Sequence, residues 1–309
     1  MRVLVHIDEA ETWREALAQR LPDAEIVTSS DDSGTPVDYL AVWKPPESLL
    51  ENHPHLKGIV NLGAGVDALL NNPGLPRDVP IVKLRDAGMG PLMADYVRYG
   101  VLHFQRDFDR YRIQQTDAQW RERPLTDKAD WPVGILGLGA IGAHVACTLA
   151  DDGFPVHGWS RSPKALDGVT CHHGDDGLAS LLGAVNTLVT LLPDTPSTRH
   201  IINADTLAQL PAGASLVNPG RGTLVDEAAL LEALGDGPEE GRLRGALLDA
   251  FPEEPLPANS PLWSHPRVLI TPHMAAPTPV RDAADQVAEL IRAMENGDPV
   301  ETIDPQAGY

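Results

Sequence analysis

Cysteine is scarce. The 309 residues carry only Cys147 and Cys171, too few for a disulfide framework and without the C-x-x-C spacing of a redox or zinc pair, which fits a reducing compartment. No apolar run approaches the roughly 20 residues that span a bilayer. The opening residues, MRVLVHID, read as a buried strand rather than the charged start and apolar core of a leader, so a cytoplasmic protein is expected. Positive charge is also in short supply: 24 Lys and Arg stand against 44 Asp and Glu, a formal charge of −20. That balance argues against nucleic-acid or anionic-membrane partners, which need a basic face. It leaves room for a small anion, because a few arginines in a cleft can hold one whatever the rest of the surface carries. Repeats, low-complexity tracts and Gly/Ser linkers are lacking, and 42% hydrophobic with 22% charged residues is the composition of ordinary globular lobes, two at this length.

What is present is an alternation of short strand and helix signals. Strands are expected at 3–7, 26–28, 39–43, 58–62 and 79–84, with a helix through Trp13, Ala16 and Leu17. The strand at 58–62 empties into Gly63-Ala64-Gly65-Val66-Asp67, whose N–H groups can form an anion nest; the same residues read equally well as a turn with no ligand. Met93, Val97, Val101, Phe104, Phe108 and Tyr111 recur at helical spacing after Pro91, predicting one long packed helix. Residues 112–130 are polar and aperiodic and read as an extended arm. Val287, Leu290, Ile291 and Met294 predict an amphipathic helix near the end of the chain.

The second lobe is organised around residues 131–147, WPVGILGLGAIGAHVAC. An apolar strand runs into Gly137, Gly139 and Gly142 in G-x-G-x-x-G spacing and then into a helix, the arrangement that seats a dinucleotide pyrophosphate on a helix N-terminus. Further strands at 155–159, 187–191, 216–218, 246–249 and 268–270 bring the total to the six of a doubly wound nucleotide domain. An NAD-binding unit places an acid at the end of the second strand. Here Ser160, Arg161, Ser162 and Lys164 stand there instead, which suits the 2′-phosphate of NADPH and leaves NADH the weaker alternative. Cys171-His172-His173 with Asp175 and Asp176 cannot easily aim three ligands at one ion, so no metal site is expected and the stretch reads as a solvated loop.

Three segments each place a polar residue just past a strand, the edge where open α/β sheets bind ligands: Asn218-Pro219-Gly220-Arg221, Asp249 to Pro257, and Thr271-Pro272-His273. Singly, Arg221 could be a turn arginine, Glu254 one acid among many and His273 a satisfied loop histidine. Together they supply the cation, acid and proton donor that reduction of a 2-oxo acid needs.

With these motifs the chain resembles the D-2-hydroxyacid dehydrogenases, and within them the glyoxylate/hydroxypyruvate reductase A group. The likeness is carried by VWKPP at 42–46, LGAGVD at 62–67, GMG at 88–90, YRIQQ at 111–115, the glycine turn, WSR at 159–161, residues 191–196, Arg221-Gly222, EPLP at 254–257 and the closing Gly308-Tyr309. The resemblance implies an α/β fold of two lobes, each a parallel sheet flanked by helices. A Rossmann-type cofactor domain (98–276, with a dimerisation arm at about 105–130) would be inserted in a flavodoxin-like substrate domain (1–97 and 277–309). It implies a homodimer acting on a small anionic 2-oxo acid: NADPH-dependent reduction of glyoxylate to glycolate and of hydroxypyruvate to D-glycerate. Arg221, Glu254 and His273 would be catalytic, with Glu254 rather than Glu253 orienting the histidine. Ala140, Ile141, Leu192, Pro193, Pro219 and Asp249 would join the glycines and the Ser160 to Lys164 loop at the cofactor. Trp43, Met93 and Tyr96 would line the substrate pocket, and the N–H groups of Ala64 and Gly65 would complete its anion site with Arg221. The alternatives are a reductase for another 2-oxo acid, bulkier ones included, and a non-catalytic NADPH-sensing dimer.

Overall fold

A computed structural model describes residues 1–31, 34–237 and 240–304; the closing Gly308-Tyr309 lies outside the described residues. The chain divides into two compact units, Met1–Met89 with Thr278–Tyr309, and Gly90–Pro277.

The first unit runs β1 (Arg2–His6), α1 (Ala10–Arg20), β2 (Glu25–Thr28), β3 (Tyr39–Val42), α2 (Glu47–Glu51), β4 (Gly58–Asn61), α3 (Asp67–Leu70) and β5 (Ile81–Lys83). Its five strands are parallel in the order β2-β1-β3-β4-β5, the flavodoxin-like order. β3 and β4 are buried along their whole length, as strands covered on both faces must be. The C-terminal helix, Val280–Asn296, turns Ala283, Ala284, Val287, Ala288 and Ile291 inward and packs against α1 and β4. Gly58 admits it closely: a Cβ there would lie 2.6 Å from the Met294 sulfur. The Tyr39 hydroxyl donates to Glu295 at 2.8 Å on the same contact. Arg85 belongs to this unit's own scaffold, its backbone exchanging hydrogen bonds with the Gln286 side chain and its guanidinium pairing with Glu301.

The second unit continues with α4 (Met89–Gln105), α5 (Phe108–Thr116), β6 (Val133–Leu136), α6 (Ala140–Asp151), β7 (Val156–Ser160), β8 (Val169–His173), α7 (Gly174–Leu182), β9 (Thr187–Thr190), α8 (Ala204–Gln209), β10 (Ser215–Asn218), α9 (Glu227–Leu234), β11 (Gly245–Leu248) and β12 (Val268–Ile270). All seven strands are parallel, in the order β12-β11-β10-β9-β6-β7-β8: a Rossmann order with one strand added beyond the sixth. Leu136, Leu188, Leu216 and Leu248 enter the core on one face, Ile135, Val189, Val217 and Leu247 that on the other.

Four sequence expectations change. Residues 171–173 are the end of an edge strand, β8, not a loop; its mixed burial hid it, and the His172 ring reaches that of His157 on the neighbouring β7 at 3.0 Å. The long helix is two, broken at Asp107, which sits in left-handed backbone at φ 59°. Arg244 holds that break, its guanidinium reaching Asp107 at 2.6 Å and Asp109 at 2.5 Å. The stretch from 112 is not all extended arm, since α5 continues to Thr116. The boundary between units falls at 89/90, not 97/98, because Met93, Ala94, Val97, Val101 and Phe104 of α4 pack with Val133, Val217 and Leu247. No helix among the described residues is long and apolar enough to cross a membrane.

Candidate active site

The turn between β6 and α6 has the geometry of a phosphate cradle. Gly137 sits at φ 104°, where a Cβ would also lie 2.5 Å from the Leu191 carbonyl oxygen, so only glycine fits. A Cβ on Gly142 would lie 1.8 Å from the Gly137 oxygen; its absence lets α6 start directly against the turn. Gly139, the N-cap of α6, differs: nothing lies within 4 Å of where its Cβ would be. Gly139 and Ala140 are exposed, so the first N–H groups of α6, including those of Ala140 and Ile141, open onto free space at the positive end of the helix dipole. These residues fit a pyrophosphate. Beyond β7 the loop presents Arg161, Ser162 and Lys164 to solvent, while the Ser160 hydroxyl is turned back onto the Ser162 carbonyl at 2.8 Å. Leu192 and Pro219 are buried beside this sheet edge and Pro193 is exposed.

The catalytic candidates gather in the same unit. His273 Nδ1 lies 2.9 and 2.8 Å from the two oxygens of Glu254. Since a carboxylate only accepts, Nδ1 carries the hydrogen, leaving Nε2 as the nitrogen able to hand a proton onward. It is Glu254, not Glu253, that reaches the ring, and its Oε1 also accepts from the Phe251 N–H at 3.1 Å. His273 sits in left-handed backbone, φ 53°, held there by its N–H donating to the Asp249 carbonyl at 2.8 Å. Gly222, next to Arg221, lies flat against the next loop: a Cβ would fall 1.9 Å from the Phe251 carbonyl carbon. The arginine loop and the glutamate loop are thereby packed backbone to backbone.

Asp249 is buried and its side chain is committed to this loop. It accepts from the Thr271 hydroxyl at 2.6 Å and from the N–H groups of Met274 and Ala275, both at 2.9 Å. Because the Thr271 proton goes to Asp249, the Tyr96 hydroxyl 2.6 Å away must donate to Thr271. Burial pushes the Tyr96 phenol above its usual pKa, which keeps that donor protonated. Asn218 plays a similar part at the end of β10. Its carbonyl oxygen accepts from Thr190 at 2.5 Å and Gly220 N–H at 3.3 Å, and its amide donates to the Arg221 carbonyl at 3.0 Å. Asn218 and Thr271 were named in the sequence only as neighbours of Arg221 and His273. The signal was there, a polar residue at or just past the last position of an apolar strand.

Of the substrate candidates, Met93 is packed in this unit's core and Tyr96 is on the chain just described. In the first unit the Trp43 ring lies over the 63–66 turn, 2.3 Å from the place a Gly63 Cβ would take. Ala64 and Gly65 are half-buried.

Comparison with known proteins gives the family. Residues 99–275 match the family model described as D-isomer specific 2-hydroxyacid dehydrogenase, NAD binding domain. A glyoxylate/hydroxypyruvate reductase A from Serratia proteamaculans is 44% identical over 306 residues, covering 97% of this chain and 96% of that protein. A D-isomer specific 2-hydroxyacid dehydrogenase from Xanthobacter autotrophicus Py2, solved in complex with NADPH and MES, superposes with a TM-score of 0.92 at 42% identity over 99% of each chain. An NADPH-dependent glyoxylate/hydroxypyruvate reductase from Sinorhizobium meliloti, solved with NADP and sulfate, gives a TM-score of 0.92 at 37% identity, covering 100% of this chain and 99% of that one.

Proposed function

The chain belongs to the D-isomer specific 2-hydroxyacid dehydrogenases, and from that premise we propose that it reduces small 2-oxo acids with NADPH, taking glyoxylate to glycolate and hydroxypyruvate to D-glycerate. The observation that carries the reading is the His273–Glu254 pair, a histidine with one nitrogen fixed by a carboxylate and the other free to act.

NADPH supplies hydride to the substrate's carbonyl carbon when bound. His273, as imidazolium, donates a hydrogen bond from Nε2 to the carbonyl oxygen and gives up the proton as negative charge grows there. Glu254 keeps the ring oriented throughout and stabilises the positive charge that it carries until the proton is transferred. Arg221 offers a planar fork of donors suited to the substrate's carboxylate, and in the first unit the 63–66 turn carries backbone N–H groups suited to an anion. Gly139, Ala140 and Ile141 take the pyrophosphate. Ser162, Arg161 and Lys164 take the 2′-phosphate, the feature that favours NADPH over NADH.

Two further points belong to this proposal. The protein works as a homodimer, supported by Phe108, Tyr111, Leu125 and the 98% exposed Trp120, apolar surface on α5 and the following segment. It works in the cytoplasm, which the free thiols of Cys147 and Cys171 support. Loss of reduced-nicotinamide absorbance with each acid, in wild type and His273→Ala, tests the reading. Turnover of glyoxylate and hydroxypyruvate with NADPH should fall by at least about a hundredfold in the variant. A variant as active as wild type would remove His273 from the chemistry.

A further inference from the structure

The connection from β7 to β8 carries Arg161, Ser162 and Lys164, and the ends of both strands meet beside its start. β7 and β8 are parallel, in register from Val156 with Val169 to Ser160 with His173. The last pair sets Ser160 next to His173 at the carboxyl edge of the sheet, where open α/β sheets bind their ligands. Paired strands lie about 4.8 Å apart, and register partners turn their side chains to one face. Ser160 spends its hydroxyl on the Ser162 carbonyl at 2.8 Å, so His173 is the member of the pair with donors to spare.

The residues on either side of His173 are tied to β7. The His172 ring, on the opposite face of the sheet, meets the His157 ring at 3.0 Å. The Gly174 carbonyl accepts from the Trp159 indole N–H at 2.8 Å. Between these two anchors the backbone of His173 is extended, φ −149° and ψ 159°. Its ring is exposed, caps no N–H of α7 although it stands at the N-cap, and among the described residues makes no hydrogen bond or ion pair. From 169 to 182 the other ionisable side chains are Cys171, the committed His172, and the exposed carboxylates Asp175 and Asp176. Without His173 this flank of the Arg161–Lys164 loop would present no unengaged group able to carry positive charge.

We propose that His173 is a cofactor-binding residue that reads the 2′-phosphate of NADPH from the β8 side, while Arg161, Ser162 and Lys164 hold it from the β7 side. A phosphate monoester has close to two negative charges and three acceptor oxygens, enough to engage donors from both strands. A histidine ring donates from at least one nitrogen in either protonation state, and as imidazolium from both with a charge added. NADH has a hydroxyl where NADPH has the phosphate and gives the ring no anion to meet, so His173 adds to the preference for NADPH. The assignment rests on the proposed placement of the 2′-phosphate at the 160–164 loop.

The test titrates NADPH and NADH separately into the full chain at fixed ionic strength, followed by nicotinamide fluorescence. His173→Ala should raise the NADPH Kd by about 5- to 10-fold and leave the NADH Kd within about twofold. His173→Gln keeps an N–H donor without the charge and should recover part of the loss. His173→Glu sets a carboxylate against the phosphate and should weaken NADPH further than His173→Ala does, again sparing NADH. A distorted strand end would weaken both nucleotides by the same factor; that result, or an unchanged NADPH Kd in His173→Ala, overturns the proposal. If His173→Ala does not fold, His173→Glu decides, and a wild-type ratio of the two Kd values counts against His173. Arg161→Ala with Lys164→Ala tests the premise separately. If that pair leaves the ratio at its wild-type value, the 2′-phosphate does not lie at this loop. If the pair lowers the preference for NADPH and His173→Ala does not, the loop keeps its role and His173 alone is removed.

Discussion

Gly139 and Gly142 sit three residues apart in one motif, and a methyl group added to each meets opposite surroundings. At Gly139 nothing lies within 4 Å of the new carbon, and the backbone, φ −71° and ψ −171°, is open to any residue. Alanine is a poorer N-cap than glycine by about 0.5–1 kcal/mol, and it removes about 0.4–1 kcal/mol of unfolded-state freedom. The two offset, so Gly139→Ala should melt at close to the wild-type temperature. The methyl group would occupy space that a pyrophosphate needs, displacing it from the N–H groups of Ala140 and Ile141. Losing about 2–3 kcal/mol of charge-assisted hydrogen bonding corresponds to a rise in NADPH Kd of about 30- to 150-fold. At Gly142 the methyl carbon would lie 1.8 Å from the Gly137 oxygen, which must retreat by 1.2 Å to reach even 3.0 Å. That oxygen is backbone and cannot rotate aside. Gly142→Ala should therefore cost about 1–3 kcal/mol of stability as overpacking does, lowering Tm by about 2–12 °C, and weaken NADPH as well because Gly137 moves. Differential scanning fluorimetry with and without NADPH, together with fluorescence titration, measures both quantities. A Gly139→Ala protein that binds NADPH within about threefold of wild type would refute the placement of the pyrophosphate at this turn.

The other expectations concern the sheet edge and the titrating groups. Asp249→Asn replaces the oxygen that faces the Ala275 N–H by either a second donor or, if the amide flips, a donor facing Thr271 and Met274. The mismatch should lower Tm by several degrees and kcat more than NADPH affinity, since the displaced loop carries His273; an unchanged kcat would dissociate the two. Arg161→Ala with Lys164→Ala should weaken NADPH by about 10- to 100-fold and leave NADH nearly unchanged, read as the ratio of the two Kd values. Burial holds His6, His103 and His157 below the ordinary value of 6.5. Each folded-state pKa is depressed, so the unfolded chain takes up protons first as pH falls. Stability should be fully present above 6.5 and decline as pH drops below it toward the folded values, and thermal melts across that range should show a shallower decline in His103→Leu than in wild type.

The fold was legible where a residue's environment follows from periodicity. Strands such as 58–61 and 215–218 are apolar because both faces of a parallel sheet are covered, and the glycine turn is legible because its steric requirements admit one residue type. The misreadings fell where tertiary contacts outweigh local pattern. β8 carries Thr170, His172 and His173 and exists as a strand because β7 offers it an edge; nothing in a Val-Thr-Cys-His-His run announces that partner. The helix break at Asp107 depends on Arg244, more than a hundred residues on, to neutralise two aspartates beside it. The periodicity of Met93 to Tyr111 passes through the break undisturbed, although Phe104 is buried and Phe108 is about half exposed.

The site divides along the same line. Arg221, Glu254 and His273 were readable because their chemistry demands those residue types. Of the residues that aim them, Asn61 and Asn218 were not singled out and Asp249 was named only at the cofactor, because an Asn or Asp at a strand end has many uses and its partners are set in three dimensions. Asn61, Asn218 and Asp249 share one arrangement: each terminates or directly follows a parallel strand, each is about 1% exposed, and each spends its side chain on the backbone of the loop that leaves the sheet. A buried polar group left without partners is costly, so these side chains favour loop conformations that satisfy them over others. The C-terminal edge of such a sheet is where strand ends converge and ligands bind. Fixing its loops from beneath with short, fully bonded polar side chains leaves the outward N–H groups and the catalytic side chains free for substrate.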